Sequence, residues 1–230
     1  MKYLVVVMFL VFSWSSIWAI EGIVTFIDGK AQVNYAPVKL RQKIKEKDYI
    51  TTNNGKLEIT LSTGTIVRVG ENSAIHFEKL NENQGKRTVS VRVALGKFWT
   101  KVKKLTGNDE YNVSFRTGTA GVRGTVYRID QMKDNSADLF VYEGSVEVKS
   151  NPPQKKEPPK DGAVEEIDGP EEVSGPSEVS MEEWTEIVKE LMVIHISADG
   201  TPTEPKEFDP NAQQQTDEWV KWNTEQDKKQ

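Results

Sequence analysis

Between residues 21 and 150, apolar side chains return at every second position in short runs, and turn residues interrupt them roughly every 8–12 positions. This constrains the fold more than any other feature. A period of two sends alternate side chains to opposite faces of a strand, and it gives a helix no continuous apolar stripe. Leu57, Ile59 and Leu61 alternate with Glu58 and Thr60. Val89, Val91, Val93 and Leu95 share one parity before Gly96 ends the run. Phe98, Thr100 and Val102 then alternate with Lys97, Trp99, Lys101 and Lys103. Further runs stand at Tyr111–Phe115, Val126–Ile129, Leu139–Tyr142 and Val146–Val148. Asp28-Gly29, Asn53-Asn54-Gly55 and Thr63-Gly64 are hairpin signals, because tight turns need residues that tolerate positive φ. The reading is all-β, with about ten short strands. One side of each strand is polar, which excludes a parallel sheet covered on both faces. A β-solenoid-like arrangement is the first expectation, with a jelly-roll or β-sandwich as the alternative.

The ends of the chain are built differently. Lys2 precedes an uncharged apolar run that lasts until Glu21, with a small residue at Ala19. This has the layout of an export signal over residues 1–19, cleaved after Ala19. An uncleaved membrane anchor is the other reading, and the eighteen residues from Tyr3 to Ile20 are barely long enough to span. The expected location is periplasmic or secreted, with membrane contact only if the segment is kept. No cysteine follows the apolar run, which excludes a bacterial lipoprotein.

Residues 20–150 carry 21 Lys and Arg against 15 Asp and Glu, whereas residues 151–230 carry 8 Lys, no Arg and 20 Asp and Glu. A basic block followed by an acidic one points to two differently built regions. Residues 151–179 hold prolines, glycines and acids with few large apolar residues, and read as a flexible linker. Ser180 and Glu183 have capping-box spacing ahead of Trp184, Ile187, Val188 and Leu191 at i, i+3, i+4 and i+7. A short helix is expected there, followed by a strand over 193–196, and residues 180–200 should dock on the β-domain. Residues 201–230 read as a polar tail in which Trp219 and Trp222 are spaced for one helical turn. This pair either seals a hydrophobic edge or serves as a partner-docking peptide.

The sequence holds little catalytic chemistry. Cysteine is absent, and the two histidines, His76 and His195, lie far apart. That removes thiol nucleophiles and Cys-ligated metals, and it leaves no cluster for a His-rich site. No metalloprotease, EF-hand or nucleophile-elbow motif occurs. Gly118, Gly121 and Gly124 have the spacing of a phosphate loop but lack the Lys-Ser/Thr ending and a following helix. They are read as turns and as places where backbones approach closely. The expectation is no enzyme, no cofactor and no metal.

One binding surface is suggested. Lys97, Trp99, Lys101 and Lys103 share strand parity, and Arg116, Arg123 and Arg128 follow in later strands. Aligned, these residues would form a basic face with an exposed aromatic, suited to an envelope protein or an anionic envelope polymer. An ordinary solvated face is the plainer reading. Nucleic acid is not expected for an exported chain with a pI near 5.3. Oligomeric state is not legible.

Several pieces resemble one known family. Asp48-Tyr49-Ile50-Thr51-Thr52 followed by Gly55-Lys56-Leu57-Glu58-Ile59-Thr60-Leu61 is similar to a stretch of FecR-type domains. So are Thr63-Gly64-Thr65-Ile66-Val67-Arg68-Val69, Leu95-Gly96-Lys97-Phe98, Ala120–Tyr127 with its Gly124-Thr125 step, and Val141–Val148 around Gly144. The best-known members are membrane-spanning regulators of iron uptake, which read an outer-membrane receptor and control a sigma factor. The resemblance implies an exported all-β module that binds another molecule. Asp48, Thr51, Gly55, Gly64, Gly96, Gly124, Thr125 and Gly144 would be its structural residues. Because this chain opens on an export signal, the anti-sigma role is not carried over. The leading expectation is a non-catalytic binding or scaffold module of the bacterial envelope. The alternative is an envelope signal-transduction regulator acting through a membrane receptor.

Overall fold

The computed structural model describes residues 18–150 and 185–229. The apolar run through residue 17, the linker, the capping box and Trp184 lie outside the described residues. The chain opens with β1 (Trp18–Ala19), β2 (Gly22–Asp28), β3 (Ala31–Val33), β4 (Ala36–Pro37), β5 (Lys43–Ile44) and β6 (Tyr49–Thr52). A hairpin of β7 (Lys56–Leu61) and β8 (Ile66–Val69) follows, then β9 (Ala74–Asn83) and the long β10 (Lys86–Lys101). Next come β11 (Glu110–Ser114), β12 (Gly118–Val122), β13 (Val126–Gln131), β14 (Ala137–Glu143) and β15 (Ser145–Ser150). The carboxy-terminal part holds β16 (Thr185–Lys189), β17 (Met192–Ile196), β18 (Lys206–Glu207), α1 (Pro210–Thr216) and α2 (Glu218–Asp227).

The strands form two sheets. Sheet A has the order β4–β3–β6–β9–β10–β11–β12–β15–β16, with β1 against the far half of β9. Sheet B has the order β5–β2–β7–β8–β10–β13–β14–β17–β18. Apart from β1 and the terminal β4 and β5, both orders follow the chain. The polypeptide passes back and forth between the sheets while advancing in one direction. The result is a sandwich traversed in solenoid order, so the two architectures left open by the alternation are joined in one molecule.

One continuous core lies between the sheets. Sheet B supplies Val24, Leu57, Ile59, Val67, Phe98, Ile129 and Leu139, and sheet A supplies Ile50, Ile75, Phe77, Val91, Val113 and Val146, all fully buried. Burial of each such side chain contributes roughly 1.5–3 kcal/mol, and with no cysteine in the chain this apolar contact is the main stabilising term. Thr100 donates to the Ile66 carbonyl at 2.8 Å and lies 3.0 Å from the Tyr111 hydroxyl, while the Tyr127 hydroxyl is buried in the core without a hydrogen-bond partner.

The structure departs from the sequence expectation at two places. Gly96 does not end a strand. Residues before it pair with β9 and β11 in sheet A, and residues from Gly96 onward pair with β8 and β13 in sheet B. At φ +85° the glycine bends one strand from one sheet into the other. The helix expected after Ser180 is, where described, strand β16. Thr185–Lys189 pairs along Ser145–Lys149 and turns through Leu191, at φ 59°, into β17. Only Val188 of this strand is buried, while Ile187 stays exposed. A helix of about three turns is marginal alone, and five residues of edge pairing outweigh its local preference. The strand expected over 193–196 is β17, paired with β14.

A clamp closes the loop between β10 and β11, the one parallel pair among the described strands. Asp109 is buried and accepts from the Arg87 backbone NH at 3.0 Å, from Arg87 Nε at 3.0 Å and from Arg87 Nη2 at 2.5 Å. The hydrogen bonds and charge of Arg87 hold the Asp109 carboxyl down at about 2, against an ordinary value of 3.8. A depressed acid stabilises the fold above its unfolded-state pKa, and the contribution fades as pH falls through the folded value. Asp109→Asn is therefore expected to cost about 1–2 kcal/mol at pH 7. Urea unfolding should show the gap to wild type closing between about pH 4 and about pH 2. A gap that stays constant across that window would contradict the assignment.

Candidate functional site

The outer face of sheet B carries a row of seven residues, one from each neighbouring strand. Phe26, Glu58, Arg68, Trp99, Arg128, Phe140 and Val193 are successive register partners on β2, β7, β8, β10, β13, β14 and β17. Trp99 is thus flanked by two arginines in cross-strand contact. Alternation explains the placement: Phe98 and Thr100 point into the core, so Lys97, Trp99 and Lys101 point out.

This face is covered by the chain's own carboxy-terminal helices. Asp209 caps α1 by accepting from the Asn211 NH, with Pro210 at the first helical position. Asp217 caps α2 by accepting from the Trp219 NH at 2.9 Å. The other carboxylate oxygen of Asp217 lies 3.4 Å from both Lys97 Nζ and Arg128 Nη1. At the far end of α2, Asp227 meets Arg68 at 2.7 Å and accepts from Trp99 Nε1 at 3.0 Å. Lys101 donates to the Asp227 carbonyl at 3.0 Å. Arg68 also binds Glu58 at 2.7 Å, and its side chain is completely buried. Trp219 stacks on Trp222 at 5.5 Å, and Trp222 packs on Phe26 at 5.2 Å. Trp99 stacks on Tyr142, whose hydroxyl donates to Gln213 at 2.8 Å. Trp99, Val126, Trp219 and Val220 form a second buried cluster, separate from the core.

The fit is incomplete. Arg128 Nε, Asp130 Oδ1 and Trp219 Nε1 are buried without a hydrogen-bond partner. Each such atom costs about 1–3 kcal/mol. Burial pushes the Asp130 carboxyl upward despite its 2.7 Å pair with Arg128. α1 buries no residue, and α2 buries Trp219, Val220 and Asn223. Open clefts of about 350 and 340 Å³ flank the helices, one beside Lys97 and Trp219 and the other beside Trp99 and Lys101.

Of the proposed basic face, Lys97, Trp99, Lys101 and Arg128 come together. The expected exposed aromatic is not found: Trp99 is 1% exposed, because α2 lies over it. Lys103, Arg116 and Arg123 lie elsewhere. Lys103 is exposed against Gly64, Arg116 sits in the β11–β12 turn, and Arg123 donates to the Gly107 carbonyl beyond sheet A. His195 lies 2.6 Å from Asp138 on β14. Among the described residues no group of three His, Asp or Glu side chains converges as a metal site would require.

The family-motif residues hold turns and close approaches. Asp48 accepts from Asn34 Nδ2 and the Lys45 NH, and Thr51 sits in β6. A side chain at Gly55 would overlap the Asp28 carbonyl at 2.6 Å. Gly64 makes the β7–β8 turn, and Gly124 and Gly144 approach each other beside Thr125, which donates to the Ser145 carbonyl.

Residues 47–147 match the family model described as FecR protein. No curated protein matches the chain. Two crystal structures of a protein from Parabacteroides distasonis ATCC 8503, bearing the description anti-sigma factor, align at 16% identity and TM-score 0.47. The alignment covers 73% of this chain and 62% of that one, so it spans less than two thirds of the neighbour. Gly96, at which β10 crosses between the sheets, and the turns at Gly55, Gly64, Gly124 and Gly144 all fall within residues 47–147, and over that stretch the chain matches the FecR family.

Proposed function

We propose that this chain is a non-catalytic regulator of the bacterial envelope that works by binding a protein partner. The apolar amino-terminal run would export it, and its FecR domain would do the binding. The FecR match over residues 47–147 favours a regulator over a passive scaffold. The observation that carries the reading is the Arg68–Trp99–Arg128 row, a surface already engaged with a polypeptide segment. Buried arginine and tryptophan are the side chains that most often anchor protein interfaces. An anionic polymer is the weaker choice, because Lys97, Lys101 and Arg128 already meet protein acceptors.

Deletion of the gene, followed by transcript profiling, tests the regulatory role. A defined set of transcripts should change and be restored by the wild-type gene. An unchanged profile would remove the regulator reading and leave the scaffold one.

A further inference from the structure

We propose that the outer face of sheet B is a docking site for a partner's acidic, tryptophan-bearing helix, and that α1 and α2 occupy it in the resting chain as a displaceable internal ligand. This rests on the protein-binding reading above and names the partner's chemistry. The recognition elements are a capping Asp at the helix start, two Trp three residues apart, and a second Asp one helix length further on, as Asp217, Trp219, Trp222 and Asp227 supply here. The face answers with Lys97 and Arg128 for the first Asp and with Arg68 and Trp99 Nε1 for the second.

Three observations argue that the internal segment is a substitute ligand. Asp217 is shared between two cations at 3.4 Å, too long for tight charge-assisted hydrogen bonds. Arg128 Nε and, two residues along the same strand, Asp130 Oδ1 stay unpaired, so a helix with one more acceptor and one more donor would satisfy the face better. The clefts on both sides leave room for a bulkier occupant. A ten-residue helix has little stability of its own, so release and refolding on the face are one equilibrium. An external helix must compete with a tethered one, whose effective concentration is high. The resting chain should therefore bind external peptide weakly.

The probe is a labelled synthetic peptide of residues 208–229, titrated against the full chain and against its Asp217→Asn/Asp227→Asn variant. The variant should bind the peptide at least about tenfold more tightly than wild type, because its own segment competes less. Affinity should fall severalfold as salt rises from about 50 to about 300 mM. Arg128→Gln added to the variant should reverse the gain. Amide exchange over residues 218–227, read on the same samples, should be at least about tenfold faster in the variant. Equal peptide affinity for wild type and variant would overturn the proposal. So would unchanged amide exchange, because the named contacts would then not hold the segment. Dimers of either chain that exchange their helices would assign the face to a second copy and overturn the partner assignment. A transcript profile that ignores gene deletion removes the regulator reading alone, and loss of peptide exchange removes this inference alone.

Discussion

Arg68→Ala is expected to lower the free energy of unfolding by about 3–5 kcal/mol, the largest loss among polar substitutions in this chain. The guanidinium is fully buried between Glu58 and Asp227, each at 2.7 Å, and packs 5.5 Å from the Trp222 ring. Removing it leaves two shielded carboxylates facing each other with no cation between them. A buried ion group is costly mainly when broken, so Glu58→Gln/Arg68→Met/Asp227→Asn should recover most of the loss. Urea unfolding followed by tryptophan fluorescence reads both values. A loss under about 1 kcal/mol for Arg68→Ala would mean that the pair is solvated and that α2 does not seal the face.

Gly96→Ala should cost about 2–5 kcal/mol, combining a positive-φ penalty of about 1–2 with an overpacking cost of about 1–3. A methyl group there would lie 2.7 Å from Ser73 Cα and 2.8 Å from the Asn72 carbonyl. Both contacts are to backbone, so rotamer changes cannot relieve them. The same spot receives a bond from the Lys97 NH to Ser73 Oγ at 2.8 Å, which fixes the bend of β10. Thermal unfolding checks this, and Gly85→Ala is the comparison, since Gly85 also has positive φ but nothing within 4 Å. Similar losses at the two positions would show that backbone conformation alone, and not the crossing between sheets, sets the requirement.

Much of this architecture was legible in the alternation. Phe98 and Thr100 inward with Lys97, Trp99 and Lys101 outward follows from parity alone, although the inward positions change from odd at Val89, Val91 and Val93 to even at Phe98 and Thr100 as the strand crosses at Gly96. The bend is not legible, because a glycine inside an alternating run looks the same whether it ends a strand or turns it. β16 is not legible either, because Ile187, Val188 and Leu191 satisfy a helical spacing, while the free edge of β15 that claims the segment is invisible locally. The cover over Trp99 was half visible. The acidic tail and the spacing of Trp219 and Trp222 were plain, but their register on the face depends on contacts across more than a hundred residues. Arg68 reads in the sequence as one charge in a β-branched run. Its outward parity beside Glu58 was the available signal.

α2 lies on sheet B through specific charge contacts, and a double-mutant cycle between Arg68→Gln and Asp227→Asn is the direct test of that docking. The two side chains are separated by most of the chain and meet at 2.7 Å only if the helix docks as described. Unfolding free energies of wild type, both single variants and the double variant should give a coupling of about 1–3 kcal/mol. Additivity to within about 0.3 kcal/mol would contradict the docking, because residues that do not touch do not couple.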